Sequence, residues 1–464
     1  MSGLFSTLNS TSMALGAHSR AIETSGKNLA NVNNPNYARQ RVVYGDRGTV
    51  QTAEGVESFG LEVLSISQLR DVLLDRQLMR EIGMGGSLDA EQQALARAQA
   101  GLGQAVNASG TATGGLAASL DNFFNAFQSL ASRPTDMGTR ETLLQQARIL
   151  TDTMRETDTR LAQVQTDLGT EVTADVSEVN RLIDTIADLN DQISRFEVNR
   201  PGVAIDLRDQ RQARLEELSA ILPVSVTDLS DGQVRLSVKD AGNTDIVLLD
   251  GQTVNGSVVF TGTGLTGGAS ATAIALTSGS IHGALSARDG AVQTLRDNLD
   301  LFAEQLVTSV NAAYNPSSTA GADFFDPAGV TAGTIALRTG LTGAGLVTGS
   351  SGSAGDNSIA IAVANLATQS FSTGSGDLID GTLGQFYSRS VSDLAQALST
   401  ATARASDQDK IQQLVRNQRD TVSGVSLDEE MADLVRFQRA FQASSRVFSV
   451  VDELLDTIVN RMGH

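Results

Sequence analysis

Apolar residues recur at helical spacing at both ends of the chain. Near the N-terminus, Leu8, Leu15, Ile22 and Leu29 repeat every seven residues, led by Leu4, with small or polar Ser12, Ser19 and Gly26 between them. Near the C-terminus, Leu427, Leu434, Phe441, Phe448, Leu455 and Met462 repeat at the same interval, and Met431, Phe437, Val451 and Ile458 fill the intervening positions. Narrow stripes of this kind suit helices that pack on one partner rather than cap a broad core. The spacing predicts terminal helices over 1–35 and 425–464 that pair with each other. Ser426 and Glu429 read as a capping box at the start of the second. Neither helix is secure alone in water, so we expect both to fold only when a neighbouring surface is supplied.

A third seam lies between Pro134 and Pro201. Val179, Leu182, Ile186, Leu189, Ile193 and Phe196 follow a 3,4 spacing, extended backwards by Leu161, Val164, Leu168 and Val172. That predicts one coiled-coil-like helix of about 55–60 residues, about 80–90 Å long. Helical spacing returns from Ile281 to about Asn311 through Leu295, Leu299, Phe302, Leu306 and Val310, and again from about Ser392, with a break at Gly424.

Between the helices the period changes to two. Val224 and Val226 face Val234, Leu236 and Val238 across a Ser230-Asp231-Gly232 turn, the pattern of a hairpin. Residues 221–280 read as an inserted antiparallel β domain. Residues 315–389, rich in Gly, Ser and Thr, read as a surface-exposed insert of β turns and loops. The remainder (36–220, 281–314 and 390–424) forms a helical rod with short β elements. The expected class is α+β and multidomain.

The run "NLANVNNPNYARQ" (28–40) ends the first helix. Asparagine tolerates the left-handed conformation that closes helices, and Pro35 forbids continuation. Asn31, Asn33, Asn34 and Pro35 therefore read as a hinge that redirects the chain into the strand-like "RQRVVYGD".

Charge and composition narrow the function. The net charge of −19 disfavours a nucleic-acid partner or an anionic membrane. With no cysteine, thiol catalysis and disulfides are excluded, and the three histidines, His18, His282 and His464, are far apart in sequence. The N-terminus lacks the pattern of a cleavable signal peptide, and no apolar run is long enough to span a membrane. Gly262, Gly264 and Gly267 fit G-x-G-x-x-G, but the strand-like "GASATAIALTSGS" follows, so a β loop is expected and no cofactor. Asp206 is expected to cap the helix after Pro201, with Arg208, Asp209 and Arg211 in solvated surface pairs. Asp323 and Asp326 flank two phenylalanines that read as a loop anchor rather than a metal site. No catalytic or metal-ligating residue is expected. Arg436 and Arg439, beside the C-terminal stripe with Arg446, are candidates for docking on carboxylates of neighbouring subunits.

"ANVNNPNYARQRV" (30–42) resembles the N-terminal motif of the axial proteins of the bacterial flagellum. "LDEEMADLVRFQRAFQASSRVFSVVDELLDTIVNRM" (427–462) resembles the C-terminal end of the hook-associated protein 1 family of the hook–filament junction. "AIDLRDQRQARLEELS" (204–219), "GALSARDGAVQTLRDNLDLFAEQLVTSVN" (283–311) and "ADFFD" (322–326) are similar to its rod region and continuation. The resemblance implies a structural subunit of the extracellular flagellum, exported unfolded by the flagellar type III apparatus and assembling through its terminal helices. It implies as partners further copies of the chain, the hook protein, a second junction protein (hook-associated protein 3), and an export chaperone at the C-terminal helix. The alternatives are another hook or rod protein, an effector or hydrolase using the same export route, or an adhesin carried by the β inserts.

Overall fold

The computed structural model describes residues 2–458 apart from 47, 53–54, 59, 104, 107–111, 114 and 354. Helix α1 (Ser2–Ala30) leads into strand β1 (Gln40–Asp46), a ribbon of β2 (Thr49–Thr52) and β3 (Gly55–Ser58), and β4 (Leu61–Gln68). β4 returns antiparallel to β1, with a bulge between Val43 and Tyr44. Helix α2 (Val72–Gly101) starts at Asp71, whose carboxylate accepts the Leu73 and Leu74 N–H groups. The short pair β5 (Ala105–Val106) and β6 (Ala112–Thr113) precedes α3 (Gly115–Ser132).

Helix α4 (Met137–Glu197) is the spine. Its 61 residues span about 90 Å, and its inward face buries Leu150, Leu161, Leu168, Val172, Val179, Leu182, Ile186 and Ile193. The long helix and its seam are as the spacing predicts, with one difference at the end. Phe196 is 69% exposed, because the inward place after Ile193 falls one residue later, to Glu197.

That carboxylate is a joint in its own right. It accepts Arg208 Nε and Nη2 at 2.9 and 2.7 Å and the Ala204 N–H at 3.1 Å. Although burial opposes the charged form, the Arg208 fork and the Gly202 and Ala204 amides hold Glu197 down to about 2. Helix α5 (Ile205–Ile221) is thereby folded back on α4, with Ala204 rather than Asp206 at its N-cap position. The expected solvated pairs on α5 are instead buried cross-links. Arg211, which burial pulls down to about 10, donates to Asn190 Oδ1 and the Gly232 carbonyl. Asn190 in turn donates to the Val234 and Gly251 carbonyls.

Those carbonyls belong to the inserted β region. Strands β7 (Ser225–Asp228), β8 (Val234–Lys239), β9 (Asp245–Asp250) and β10 (Thr253–Val254) form an antiparallel sheet in the order β10-β9-β8-β7, joined through the expected Ser230-Asp231-Gly232 turn. A smaller sheet follows, from β11 (Val259–Phe260), β12 (Leu265–Gly267) and β13 (Thr272–Ala273). The G-x-G-x-x-G residues form the β11–β12 turn and run into β12. Arg288 donates to the Gly262 carbonyl at 2.8 Å and stacks 5.6 Å from the Phe260 ring. Arg288 opens a π turn (Arg288–Val292) between α6 (Ser280–Ala287) and α7 (Gln293–Tyr314).

Residues 315–389 differ from the expected exposed module. They hold helix α8 (Ser358–Asn365) and two isolated bridges, and are otherwise mainly turns. Phe324, Phe325, Ile335, Ile359, Val363 and Phe371 are buried in the same core as α3, α4 and α7. Phe324 packs edge-on against Tyr314 and Phe123, and Asn311 Oδ1 accepts the N–H groups of both Phe324 and Phe325. A composition low in large apolar residues concealed how firmly these few anchors tie the loops down.

Helix α9 (Leu383–Ser423) begins earlier than its spacing suggests, fixed by a capping box between Thr382 and Gln385. It stops at Gly424, where a Cβ would lie 2.3 Å from the Asp420 carbonyl oxygen. Helix α10 (Leu427–Asp456) closes the described chain. Among the described residues no helix is long and apolar enough to cross a membrane.

Glu197 gives the fold a measurable acid dependence. Its folded pKa lies below the ordinary glutamate value, so its contribution is present above about pH 4.5 and is lost as pH falls towards 2. Glu197→Gln is expected to cost about 3 kcal/mol at pH 7 in urea unfolding, with the deficit shrinking below pH 4. A deficit independent of pH would show that the ion pair does not hold this corner.

Candidate assembly interface: the terminal helix pair and its buried joint

Helices α1 and α10, 29 and 30 residues long, pack side by side and antiparallel for about 45 Å. Asn28, near the end of α1, meets Glu430, in the first turn of α10. The expected pairing of the two ends is present, but its seam is offset from the predicted stripe. On α1 the buried positions are Thr11, Ala17, Ala21, Thr24, Ser25 and Asn28, small residues that allow close approach. Thr11 and Thr24 turn their hydroxyls back to the Thr7 and Arg20 carbonyls. Leu8, Leu15, Ile22 and Leu29 are only half-buried beside that seam.

On α10, Glu430, Val451 and Leu455 are buried, and Leu434, Phe437 and Phe448 half-buried. Leu427 and Phe441 are exposed, and Met462 lies outside the described residues. Arg436 is exposed, paired with Asp433 at 2.9 Å and stacked on the Phe437 ring at 5.0 Å. Arg439 and Arg446 are also exposed.

At the closed end of the pair every hydrogen-bonding position of one buried amide is used. Asn28, 1% exposed, donates from Nδ2 to the Gln40 carbonyl (2.9 Å) and to Glu430 Oε2 (3.1 Å). Its Oδ1 accepts the Gln40 N–H (3.0 Å) and the Tyr37 hydroxyl (2.9 Å). Towards Gln40 the side chain therefore pairs as a strand neighbour would. Glu430, 2% exposed, accepts Arg39 Nε at 2.7 Å, and Arg39 Nη1 reaches Glu429 at 2.6 Å. The predicted capping box consequently does not form, and Ser426 makes no side-chain cap bond. Glu429 is drawn to Arg39 instead, a charge-assisted bond stronger than a neutral cap.

The predicted hinge residues form the outer skin of this joint. Asn33, Asn34 and Pro35 are exposed. Asn31 Nδ2 returns to the Lys27 carbonyl, and Asn34 Oδ1 accepts the Asn36 N–H. The run closes the helix by these turns and not by a left-handed residue. Among described non-glycine residues, positive φ occurs at Asn243, Ala271 and Ser318.

Clamps from the rod fix the hinge from behind. Arg419 of α9 donates to the Pro35 carbonyl (3.0 Å) and pairs with Glu216 of α5 (2.9 Å). The Arg39 N–H reaches the Ser423 carbonyl at 2.8 Å. Gln40 Nε2 donates to Asp206 of α5 (3.2 Å), and Arg70 pairs with both Asp75 and Asp209. Burial pushes Asp209 up to about 6 despite the Arg70 guanidinium beside it. Burial, then the nearby carboxylates Asp206, Asp209 and Glu430, push the Tyr37 hydroxyl well above its ordinary range.

These groups are paired with one another, leaving Arg70 Nε, Asp75 Oδ1 and Asp209 Oδ2 as buried atoms without a hydrogen-bond partner, and the arrangement is one for holding elements together. Among the described residues no group of three or more His, Asp and Glu is placed to hold a metal ion. Sequence reasoning missed Asn28, Tyr37, Arg39, Gln40, Glu430, Arg70 and Arg419 as a set. One signal was available: Glu430, Leu434, Phe437 and Phe441 share a 4,3,4 spacing, which puts a carboxylate on an otherwise apolar seam.

Residues 102–325 match the family model of the flagellar hook-associated protein FlgK helical domain, and residues 417–462 that of the flagellar basal body rod FlgEFG protein C-terminal region. The chain is 26% identical over 515 aligned residues to flagellar hook-associated protein 1 of Bacillus subtilis, covering 100% of the chain and 99% of that relative. It is 23% identical over 562 residues to the protein of the same description from Escherichia coli, covering 98% and 99%. A solved structure, the flagellar hook junction protein FlgK from Burkholderia pseudomallei, aligns with TM-score 0.44 and 22% identity over 54% of this chain and 46% of that one.

Asn28→Ala leaves the Gln40 backbone groups and one Glu430 oxygen without partners, and is expected to destabilise the helix pair by about 3 kcal/mol. The chain has no tryptophan, so Phe437→Trp supplies a local fluorescence probe of that pair. Tyr37→Phe, which removes one bond, should cost about 1 kcal/mol. Equal and small effects of both substitutions would remove Asn28 from the centre of the joint.

Proposed function

We propose that the chain, similar over its whole length to proteins described as flagellar hook-associated protein 1 and matched by two flagellar family models, works as a non-enzymatic, polymerising structural subunit of the hook–filament junction. The observation that carries this reading is the antiparallel α1–α10 pair, which is locked at one end to the rod while α10 keeps apolar residues exposed along its length. Leu427, Met431, Val435, Val447, Val450 and Leu454 are all exposed large hydrophobics on α10. A monomeric protein seldom leaves so many on one helix, whereas a subunit closes them against its neighbours.

In this reading the subunit leaves the cell unfolded by the flagellar export route, and its ends become fixed as it joins the growing structure. The chain would meet further copies of itself, the hook protein on one side and a second junction protein on the other, and an export chaperone would hold the C-terminal helix beforehand. The hinge at Asn31, Asn33, Asn34 and Pro35 sets the angle between the helix pair and the rod. Arg439, exposed on α10, is free to dock on a neighbour's carboxylate, while Arg436 is already engaged by Asp433 and Phe437.

The experiment is a gene deletion with complementation. Deleted cells are expected to keep hooks, lack filaments and release flagellin into the medium. The wild-type gene should restore filaments, whereas Arg439→Glu should be exported but fail to restore them. Intact filaments on deleted cells would contradict the junction role, and normal filaments with Arg439→Glu would remove that arginine from the interface.

A further inference from the structure

From a groove on the rod and a ridge on α10, we infer that the start of α10 in one copy docks between α2 and the β sheet of the next. The groove has a volume of about 460 Å³. Its apolar floor includes Met79, Leu222 and Val224, and its cations are Arg76, Arg80 and Lys239. Among the described residues no carboxylate lines it, in a chain whose net charge is −19. Asp228 and Asp245 pair with Arg76 and Lys239 from outside the groove, and Arg80 is exposed.

The α2 wall presents Arg76, Arg80 and Met84 at one-face helical spacing, with Met84 47% exposed, and Leu73, 74% exposed, continues that face beyond the groove. The wall is rigid because α2 packs closely on the end of α5. A Cβ on Gly86 would sit 2.3 Å from the Ala220 carbonyl oxygen. A firm apolar trough with a basic rim fits a helix that carries an apolar ridge flanked by acid.

The first turns of α10 have that form. Leu427, Met431 and Val435, at i, i+4 and i+8, are 47%, 52% and 44% exposed. Asp428 is exposed beside them. The ridge spans about 12 Å and the α2 face about 16 Å at 1.5 Å per residue. The contact joins two different patches, so it propagates head to tail and builds a ring or helix rather than a closed dimer. This inference rests on the reading of the chain as a polymerising subunit and names one of its contacts.

The chain has no cysteine, so Met84→Cys and Met431→Cys each place a single thiol at an exposed methionine of the full-length protein. Mixed at assembling concentration and oxidised, the two variants are expected to give a covalent dimer that neither gives alone. Adding Arg80→Glu to the first should abolish that dimer, and adding Asp428→Arg to the second should restore it. A mixture that stays monomeric, like-with-like dimers in equal yield, or a mixed dimer indifferent to Arg80→Glu would each overturn the inference. Complementation of the deleted strain keeps the two readings apart. Filaments restored by variants that form no mixed dimer leave the junction role standing and remove the groove, whereas failure of the wild-type chain to restore filaments removes the role itself.

Discussion

A buried carboxylate is tolerated only when an opposite charge and hydrogen-bond donors meet it, and in this fold that requirement falls on Glu430. It sits on the inward face of α10, where a purely apolar seam would let two long helices slide past each other by a turn. Asn28 and Arg39 satisfy it in one register only. A polar residue in a helix seam commonly exchanges stability for specificity in this way. The same Asn28 amide binds the first residue of β1, so the register of the helix pair and the path of the emerging chain are set together.

The joint is anchored because the rod beneath it is built on the same plan. Arg419, Gln40 and Arg70 carry the hinge onto α9, α5 and α2, and Glu197 with Arg208 folds α5 back onto the spine. Asn190 and Arg211 then tie the spine to the β sheet. Each link is a buried polar group with several partners, a pattern that fixes angles between elements more sharply than apolar contact alone. Fixed angles of this kind are what the proposed role in an assembly requires.

The periodic parts of this design were legible in the sequence. The α4 seam, the β7–β8 hairpin and the existence of both terminal helices follow from spacing alone, because long runs with one period leave little choice. The failures share a cause. Extending a stripe places Phe196, Leu427 and Leu8 inward, whereas the buried face includes small or charged residues that a count of apolar positions ignores. The Ser426–Glu429 box and the Asp206 cap are reasonable local readings overruled by Arg39 and Gln40, which lie 390 residues from Glu429 and 166 from Asp206 in sequence. In 315–389 a few phenylalanines and isoleucines decided the packing of a segment whose composition suggested an exposed loop. The site itself was visible only as an asparagine run. Its chemistry lies in Asn28 and in residues just beyond the run, whose partners the sequence does not name.

We expect α1 and α10 to form one cooperative unit, held in register by Asn28 and Glu430 and less stable than the rod. Native-state amide hydrogen exchange of the purified full-length monomer tests it most directly. The α1 and α10 amides are expected to exchange at one shared free energy, below that of α4, and Asn28→Ala is expected to lower both helices together while leaving α4 unchanged. Independent exchange of α1 and α10, or an Asn28→Ala effect confined to α1, would contradict it.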